Sequence, residues 1–252
     1  MINPVFKEEY YKVREEYLEQ LNKLTPEKGL IDVEKFKSKG YWVWNIGIIN
    51  PKMHIIFGNA KLPETTCIVN LGTWFNCSGR KEGFCDICKE CYDKQIEVRF
   101  KERTKDRLEH EIFWRSVDAK TFAFELIKKI VKYELDTGTK VTKIRWSEVG
   151  EIRNQEDLEK IIECTNIIYE NLKIKSYIYT HNKNLNFDIE RKYLTINGSG
   201  FMVDNEYRVV KDKEEEYNEL KDISNKRDCI CDCTKCSYCS NKDGFIIIEE
   251  LR

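Results

Sequence analysis

From Val141 onward the chain alternates short apolar runs with longer amphipathic ones. VTKIRWSEV (141–149) sets β-branched and aromatic residues at alternate positions and predicts a strand. DLEKIIECTNIIYENL (157–172) repeats its apolar residues every three to four positions and predicts an amphipathic helix. IKSYIYT (174–180) returns to strand character and is followed by a polar loop, HNKNLN; YLTING (193–198), EYRVV (206–210) and FIIIEE (245–250) predict further strands. Such alternation builds parallel β/α units, in which ligand-binding groups gather where strands end. Upstream, YWVWNIGIINPKMHIIF (41–57) is broken by Asn50-Pro51 and predicts a hairpin. GNAKLP follows, then the short strand TCIVNLG (66–72). Helices are predicted over 92–115 and 118–135, the second stopped by Asp136-Thr137-Gly138. A helix over 7–24 is closed by Pro26, and KDKEEEYNELKD (211–222) is a solvated helix or linker.

These elements predict an α/β fold with a curved, mostly parallel sheet, in the form of a partial (β/α) barrel. The expected division is an N-terminal helical extension (1–40), an α/β core (41–222) and a cysteine-rich metal-binding segment (223–252). Composition fits one sizeable core: 252 residues, 41% hydrophobic and 35% charged. A formal net charge of −1 gives no global attraction to nucleic acid or anionic lipid, so such binding would need a local patch. No apolar run approaches the ~20 residues that span a bilayer, and MINPVFKEEYYKVREEY lacks the apolar centre of a signal peptide. The expectation is a cytoplasmic protein with no membrane partner, in which thiols stay reduced.

Cysteine spacing carries the chemistry. Cys85, Cys88 and Cys91 form a C-x2-C-x2-C run, as do Cys233, Cys236 and Cys239, the latter preceded by Cys229 and Cys231. Eight of the eleven cysteines therefore fall within two short tracts, which excludes scattered core thiols and points to metal. Three thiolates two residues apart can hold three irons of a [4Fe–4S] cluster; zinc is the alternative, and more often joins two C-x2-C knuckles. The expectation is two [4Fe–4S] clusters, one per tract. Cys77 is the candidate fourth ligand of the first, with Cys67 a weaker one; three ligands would leave one iron open, and four would close the centre. Cys164, beside Ile161 and Ile168 on a predicted helix, is expected in the core.

The predicted strand ends supply polar groups along one rim. RWSEVGE offers Arg145, Glu148, Gly150 and Glu151; IYTHN offers Thr180, His181 and Asn182; TINGSG offers Asn197 and Ser199. Glu148 and Glu151 also suit the start of a helix, and His181 suits either a proton carrier or a plain loop position. Over 98–115, Arg99, Arg103 and Arg107 stand four apart on a helix face that would suit phosphates. Acids at Glu97, Glu102, Asp106, Glu109 and Glu111 interleave with them, the ordinary pattern of a salt-bridged surface.

The series GNAKLP, a cysteine loop ending in Cys91-Tyr92, RWSEVGE, IYTHN, TINGSG and CTKCSYC resembles the phage gene 88 protein family. That resemblance implies a phage or prophage origin and a metal role for Cys77, Cys85 or Cys88, Cys91 and the final cysteines. The strand–cysteine loop–helix order with a following Gly-Glu also looks like a radical S-adenosylmethionine enzyme. In that superfamily three cysteines hold an open cluster, an aromatic precedes the last cysteine, and a Gly-Gly-Glu strand end holds the cofactor's amino group. Here the spacing is C-x2-C-x2-C rather than C-x3-C-x2-C, Tyr92 follows the last cysteine, and Val149-Gly150-Glu151 replaces the double glycine. The likeness implies S-adenosylmethionine held by Gly150, Glu151, Thr180, Asn197 and Ser199, with Glu148, Glu151 and His181 as catalytic groups. Two functions follow: an enzyme acting on a nucleotide, nucleic acid or peptide, or a non-catalytic metal-stabilised protein that binds nucleic acid or a host protein.

Overall fold

The computed structural model describes residues 51–74, 76–85, 91–212, 214, 220 and 223–250. The predicted helix over 7–24, the first ten residues of the hairpin, Cys88 and most of 211–222 lie outside the described residues. Eight strands form one sheet: β1 (Ile56–Phe57), β2 (Thr66–Val69), β3 (Lys143–Trp146), β4 (Lys175–Thr180), β5 (Leu194–Ser199), β6 (Asn205–Val210), β7 (Lys226–Asp228) and β8 (Ile246–Glu250). Their order is β1-β2-β3-β4-β5-β6-β8-β7. Only the β1–β2 pair is antiparallel; every other neighbour is parallel. The expected α/β fold with a mostly parallel sheet is therefore present.

Among the described residues five α-helices accompany the strands: α1 (Ser78–Lys81), α2 (Tyr92–Arg99), α3 (Lys101–Ser116), α4 (Ala119–Thr137) and α5 (Gln155–Leu172). The single helix predicted over 92–115 is two helices, because Phe100 adopts an extended conformation (φ −121°, ψ 92°) between them. Its ends explain α5: the Asn154 side chain accepts from Asp157 N–H at the start, and Lys173 takes a left-handed conformation at the stop. Asp118 caps α4 in the same way, accepting from Thr121 N–H.

One face of the sheet buries the core. Ile144, Trp146, Ile178, Leu194 and Ile196 point toward Phe122, Leu126 and Ile130 of α4 and Leu158, Ile161 and Ile168 of α5. Trp114 meets Phe122 edge-on, with ring centroids 4.8 Å apart. Each aliphatic side chain so buried is worth roughly 1.5–3 kcal/mol, which makes this layer the main source of stability. Cys164 lies in it as expected, and so does Cys67, which removes Cys67 from the ligand candidates. Burial drives both of these thiols upward, holding them protonated and inert.

The other face is polar and aromatic. Tyr179 stands edge-on to Tyr177 and to Tyr207, and the Arg145 guanidinium lies 5.1 Å from the Tyr179 ring centre. Asn197 Nδ2 donates to Cys239 O at 2.9 Å, and Asn205 Nδ2 donates to Asn197 Oδ1 at 3.0 Å. The C-terminal cysteine tract is laid over this face. The two ends of the sheet also meet there. Cys233 N–H, beyond β7, donates to Lys61 O at 3.2 Å, and Lys61 Nζ reaches Glu249 of β8 at 2.8 Å. Lys61 belongs to the loop before β2, at the opposite end of the strand order. A sheet brings such distant ends together only by curling, so this is a curved sheet whose ladder stays open and whose seam is closed by loops.

Parallel neighbours ordinarily need a connection of a dozen residues or more. β5 and β6 manage with 200–204, pairing Asn197 with Asn205. The chain doubles back so closely that a Cβ on Gly198 would lie 2.2 Å from Phe201 O. Only glycine fits there.

Candidate functional site

The first cysteine loop leaves the end of β2, and its opening backbone is gripped by two buried acids. Thr73 N–H donates to Glu111 at 3.2 Å, and Asn76 Nδ2 donates to the same carboxylate, which also receives Arg115. Trp74 N–H donates to Glu97 Oε1 at 2.8 Å, and Arg107 Nη1 donates to the same oxygen at 2.8 Å. Arg107 also binds Asp93 at 2.9 Å, so it pairs with α2 instead of joining Arg103 on a free basic face. Glu97 and Glu111 are nearly inaccessible, and Gly72 lies against Glu111 so tightly that a Cβ would stand 2.8 Å from Oε2. Helices α2 and α3 thereby fix where the loop begins.

Cys77 and Cys91 each precede a helix, at the N-caps of α1 and α2. Desolvation pushes the Cys77 thiol up to about 12, Glu151 adds to the rise, and the amides of Arg80 and Gly79 oppose it. Desolvation likewise raises Cys91 to about 11, with Asp93 adding and the amides of Asp93 and Lys94 opposing. Cys85 lies near Cys77, since a Cβ on Gly79 would stand 3.1 Å from Cys85 Cβ and 3.7 Å from Cys77 Sγ, and its charge adds to the rise of both thiols. These are thiols withdrawn from water that face helix-start amides, an environment in which a bound cation would favour the thiolate. Cationic side chains stand nearby: the Arg80 guanidinium lies 4.6 Å from the Trp74 ring centre and Lys94 Nζ lies 5.7 Å from it.

The rim continues on the next two strands. After β3, Ser147 is left-handed (φ 56°), and Asn70 Oδ1 accepts from the N–H of Glu148 (3.0 Å) and of Val149 (2.9 Å). Gly150 (φ 90°) packs backbone to backbone on the cysteine loop, where a Cβ would lie 2.6 Å from Gly72 N. The buried Glu151 carboxylate accepts from Thr180 Oγ1 at 2.6 Å, Ile152 N–H at 2.8 Å and His181 N–H at 2.8 Å, with His181 Nδ1 at 3.7 Å. Asn182 follows, its Nδ2 donating to Ile152 O at 3.0 Å. Cys77, Gly150, Glu151, Thr180 and His181 thus share one neighbourhood.

The other named residues lie elsewhere. Glu148 Oε1 accepts from Asn59 Nδ2 at 2.6 Å, tying the rim to the GNAKLP loop. Asn197 sits beneath the C-terminal tract, and Ser199 is half-buried at the end of β5 in register with Tyr207. In that tract Cys229, Cys231, Cys233, Cys236 and Cys239 are all half-buried. Desolvation raises Cys239 to about 12, partly offset by the Tyr179 hydroxyl. Cys229 and Cys231 place their sulfurs 3.9 Å apart, and Cys231 Sγ lies 3.1 Å from Glu249 Oε1.

Three acids matter that sequence reasoning passed over. Glu97 and Glu111 looked like members of a solvated charge pattern, and nothing in the spacing marks them as buried. Glu249 had a signal: Ile246 and Ile248 share one face of β8, so the acid between Ile248 and Glu250 must face the cysteine tract. No helix among the described residues is long and apolar enough to cross a membrane. No curated protein and no solved structure matches the chain. The sequence profile of the Gene product 88 family matches residues 44–198, more than half of the 252 residues, and the chain belongs to that phage family.

Proposed function

We propose that this phage protein is an iron–sulfur enzyme of radical S-adenosylmethionine type, acting at the strand-end rim on a nucleotide, nucleic acid or peptide. The observation that carries this is the meeting of Cys77, coupled to Cys85, with the Gly150–Glu151 turn and Thr180 at the ends of adjacent parallel strands. Open parallel sheets bind ligands in that crevice. The donor set fits a cluster: desolvated thiols, cations close by, and first-turn amides of α2 directed at Cys91. Cys85 and Cys91, with Cys88 from the spacing, would hold three irons and leave the fourth open, and Cys77 would line the site. When bound, such a cluster would supply one-electron reduction of a sulfonium cofactor. The chain's own part is to hold and orient: Glu151 fixes the β3 and β4 rims against each other, Gly150 lets backbone approach closely, and His181 offers a ring nitrogen for moving a proton.

A second reading has its own support. The Glu151 oxygens already accept from three donors within the protein, which suits a structural rim. In that case both tracts are metal-stabilised and the protein binds nucleic acid or a host protein without catalysis. Anaerobic purification, reconstitution with iron and sulfide, and a test for binding and reductive cleavage of S-adenosylmethionine decide between them. The enzyme reading expects a brown protein that binds the cofactor and loses it in Cys91→Ala. A reconstituted, reduced protein that neither binds nor cleaves the cofactor overturns it.

A further inference from the structure

We infer that Cys229, Cys231 and Glu249 hold a tetrahedral divalent ion of zinc type at the seam of the curled sheet, with Cys233 at the fourth position. The proposal is independent of the rim reading and concerns the second tract alone. All three donor atoms lie within 4.8 Å of one another. For a tetrahedral ion with Zn–S near 2.3 Å, two thiolate sulfurs sharing that ion stand about 3.8 Å apart. The sulfurs of Cys229 and Cys231 are 3.9 Å apart. In a cubane each thiolate binds its own iron, which spreads the sulfurs more widely than this.

The backbone is arranged to bring the pair together. Cys229 N–H donates to Ile248 O at 2.8 Å, continuing the β7–β8 ladder one residue past β7. Cys231 is left-handed (φ 54°), which turns the chain back toward β8. Glu249 comes from β8 itself, with Oε1 3.1 Å from Cys231 Sγ. Its carboxylate is oriented from outside the donor set: Lys61 Nζ donates to Oε1 at 2.8 Å and the Tyr207 hydroxyl to Oε2. Partners of this kind fix a ligand's direction in metal sites. Lys61 also supplies charge, since three thiolates and a carboxylate around a dication leave two negative charges uncompensated. The main-chain carbonyl of the same lysine accepts from Cys233 N–H at 3.2 Å, which ties the Cys233 backbone to the loop that orients Glu249. GNAKLP thereby acquires a purpose that its sequence did not disclose: it is the loop from which the β1–β2 end of the sheet reaches the ion on the β8–β7 end. The half-burial of the donors leaves the ion a way in.

The test uses the full chain, purified anaerobically, stripped with chelator and titrated with Zn2+ and, for its thiolate-to-metal absorption, Co2+. Wild type should take up one ion that Cys231→Ala does not, with tetrahedral Co2+ bands. Cys231→Ala and the isosteric Glu249→Gln should each weaken uptake at least tenfold while far-ultraviolet circular dichroism stays unchanged. Cys164→Ala should leave it intact, and an ion lost in Cys91→Ala but kept in Cys231→Ala belongs to the first tract, so a failed rim cluster and a failed seam ion are told apart. Uptake by Glu249→Gln equal to wild type would mean that Glu249 makes only a thiol hydrogen bond, and would overturn the site. Iron with sulfide in this tract, unaffected by Cys231→Ala, would overturn it in favour of a cubane held by the other four thiols.

Discussion

Replacing Gly150 with alanine tests whether the rim is built on a close backbone crossing. The added Cβ would meet Gly72 N at 2.6 Å and both Gly72 Cα and Leu71 C at 3.1 Å, all main-chain atoms that cannot rotate away. Alanine in a left-handed conformation costs about 1–2 kcal/mol by itself, and overpacking a tight contact costs roughly 1–3 kcal/mol more. Gly138 provides the matched control: it too has positive φ, at 72°, but no atom lies within 4 Å of its built Cβ. Gly138→Ala should therefore cost only the conformational part. With a urea m-value of about 3 kcal/mol/M, an extra 2 kcal/mol lowers the midpoint for Gly150→Ala by about 0.7 M relative to Gly138→Ala. Because Gly72 opens the cysteine loop, Gly150→Ala should also reduce metal bound by the first tract and spare the second. Equal midpoints for the two variants would mean that the β2 and β3 rims can part without cost, and the crossing would lose its role in placing Cys77 beside Glu151.

Three further outcomes are expected. His110 is fully buried and its Nδ1 accepts from His54 N–H at 2.9 Å; burial, with His54 and Lys129 adding, lowers it from 6.5 to about 3. The unfolded chain therefore binds the extra proton first, so stability falls by about 1.4 kcal/mol per unit as pH drops below about 6.5. His110→Asn, which keeps an acceptor near Nδ1, should flatten that slope between pH 6 and pH 4 in urea melts, whatever it costs at pH 7; parallel slopes would refute it. Glu111→Ala should destabilise by about 3–5 kcal/mol, since it removes the buried carboxylate that Thr73 N–H, Asn76 and Arg115 share, and hydrogen exchange should rise first at 72–77; protection there equal to wild type would rule out its role as the loop's anchor. Gly198→Ala should displace Phe201 and cost at least about 3 kcal/mol; a midpoint within 0.3 M of wild type, on the order of 1 kcal/mol, would show that the 200–204 connection has slack.

The fold was legible wherever apolar periodicity was strong. The strands predicted at 141–149, 174–180, 193–198, 206–210 and 245–250 all occur within a few residues: the first three bury one face on α4 and α5, and the last two pack Val210, Ile246 and Ile248 against Leu220 and Ile223. β7 was missed: Lys-Arg-Asp carries no apolar signal, and the strand exists because β8 offers it an edge. The break at Phe100 was missed because α2 and α3 are both charge-rich and no Gly or Pro marks the boundary between them. Among the candidate site residues, the Gly150–Glu151 and Thr180–His181 pairs were visible as polar groups at strand ends. Their mutual hydrogen bonds were not, since they join residues about thirty apart. Arg107 shows the opposite limit: sequence spacing aligned it with Arg103, while burial matched it to Asp93 and Glu97.

The contact between Lys61 and Glu249 joins residues 188 apart, and it dictates an order of events during synthesis. Strands β2 to β5 with α4 and α5 hold most of the aliphatic and aromatic core and can collapse as soon as Ser199 has left the ribosome. The seam cannot form until residues 229–249 have followed, and loop closure over such a distance is slow. For that interval the Lys61 loop lacks its partners Cys233 and Glu249. A phage that makes this protein quickly would thus hold a population with a settled core and an open seam, the state most exposed to oxidation and to pairing with another chain.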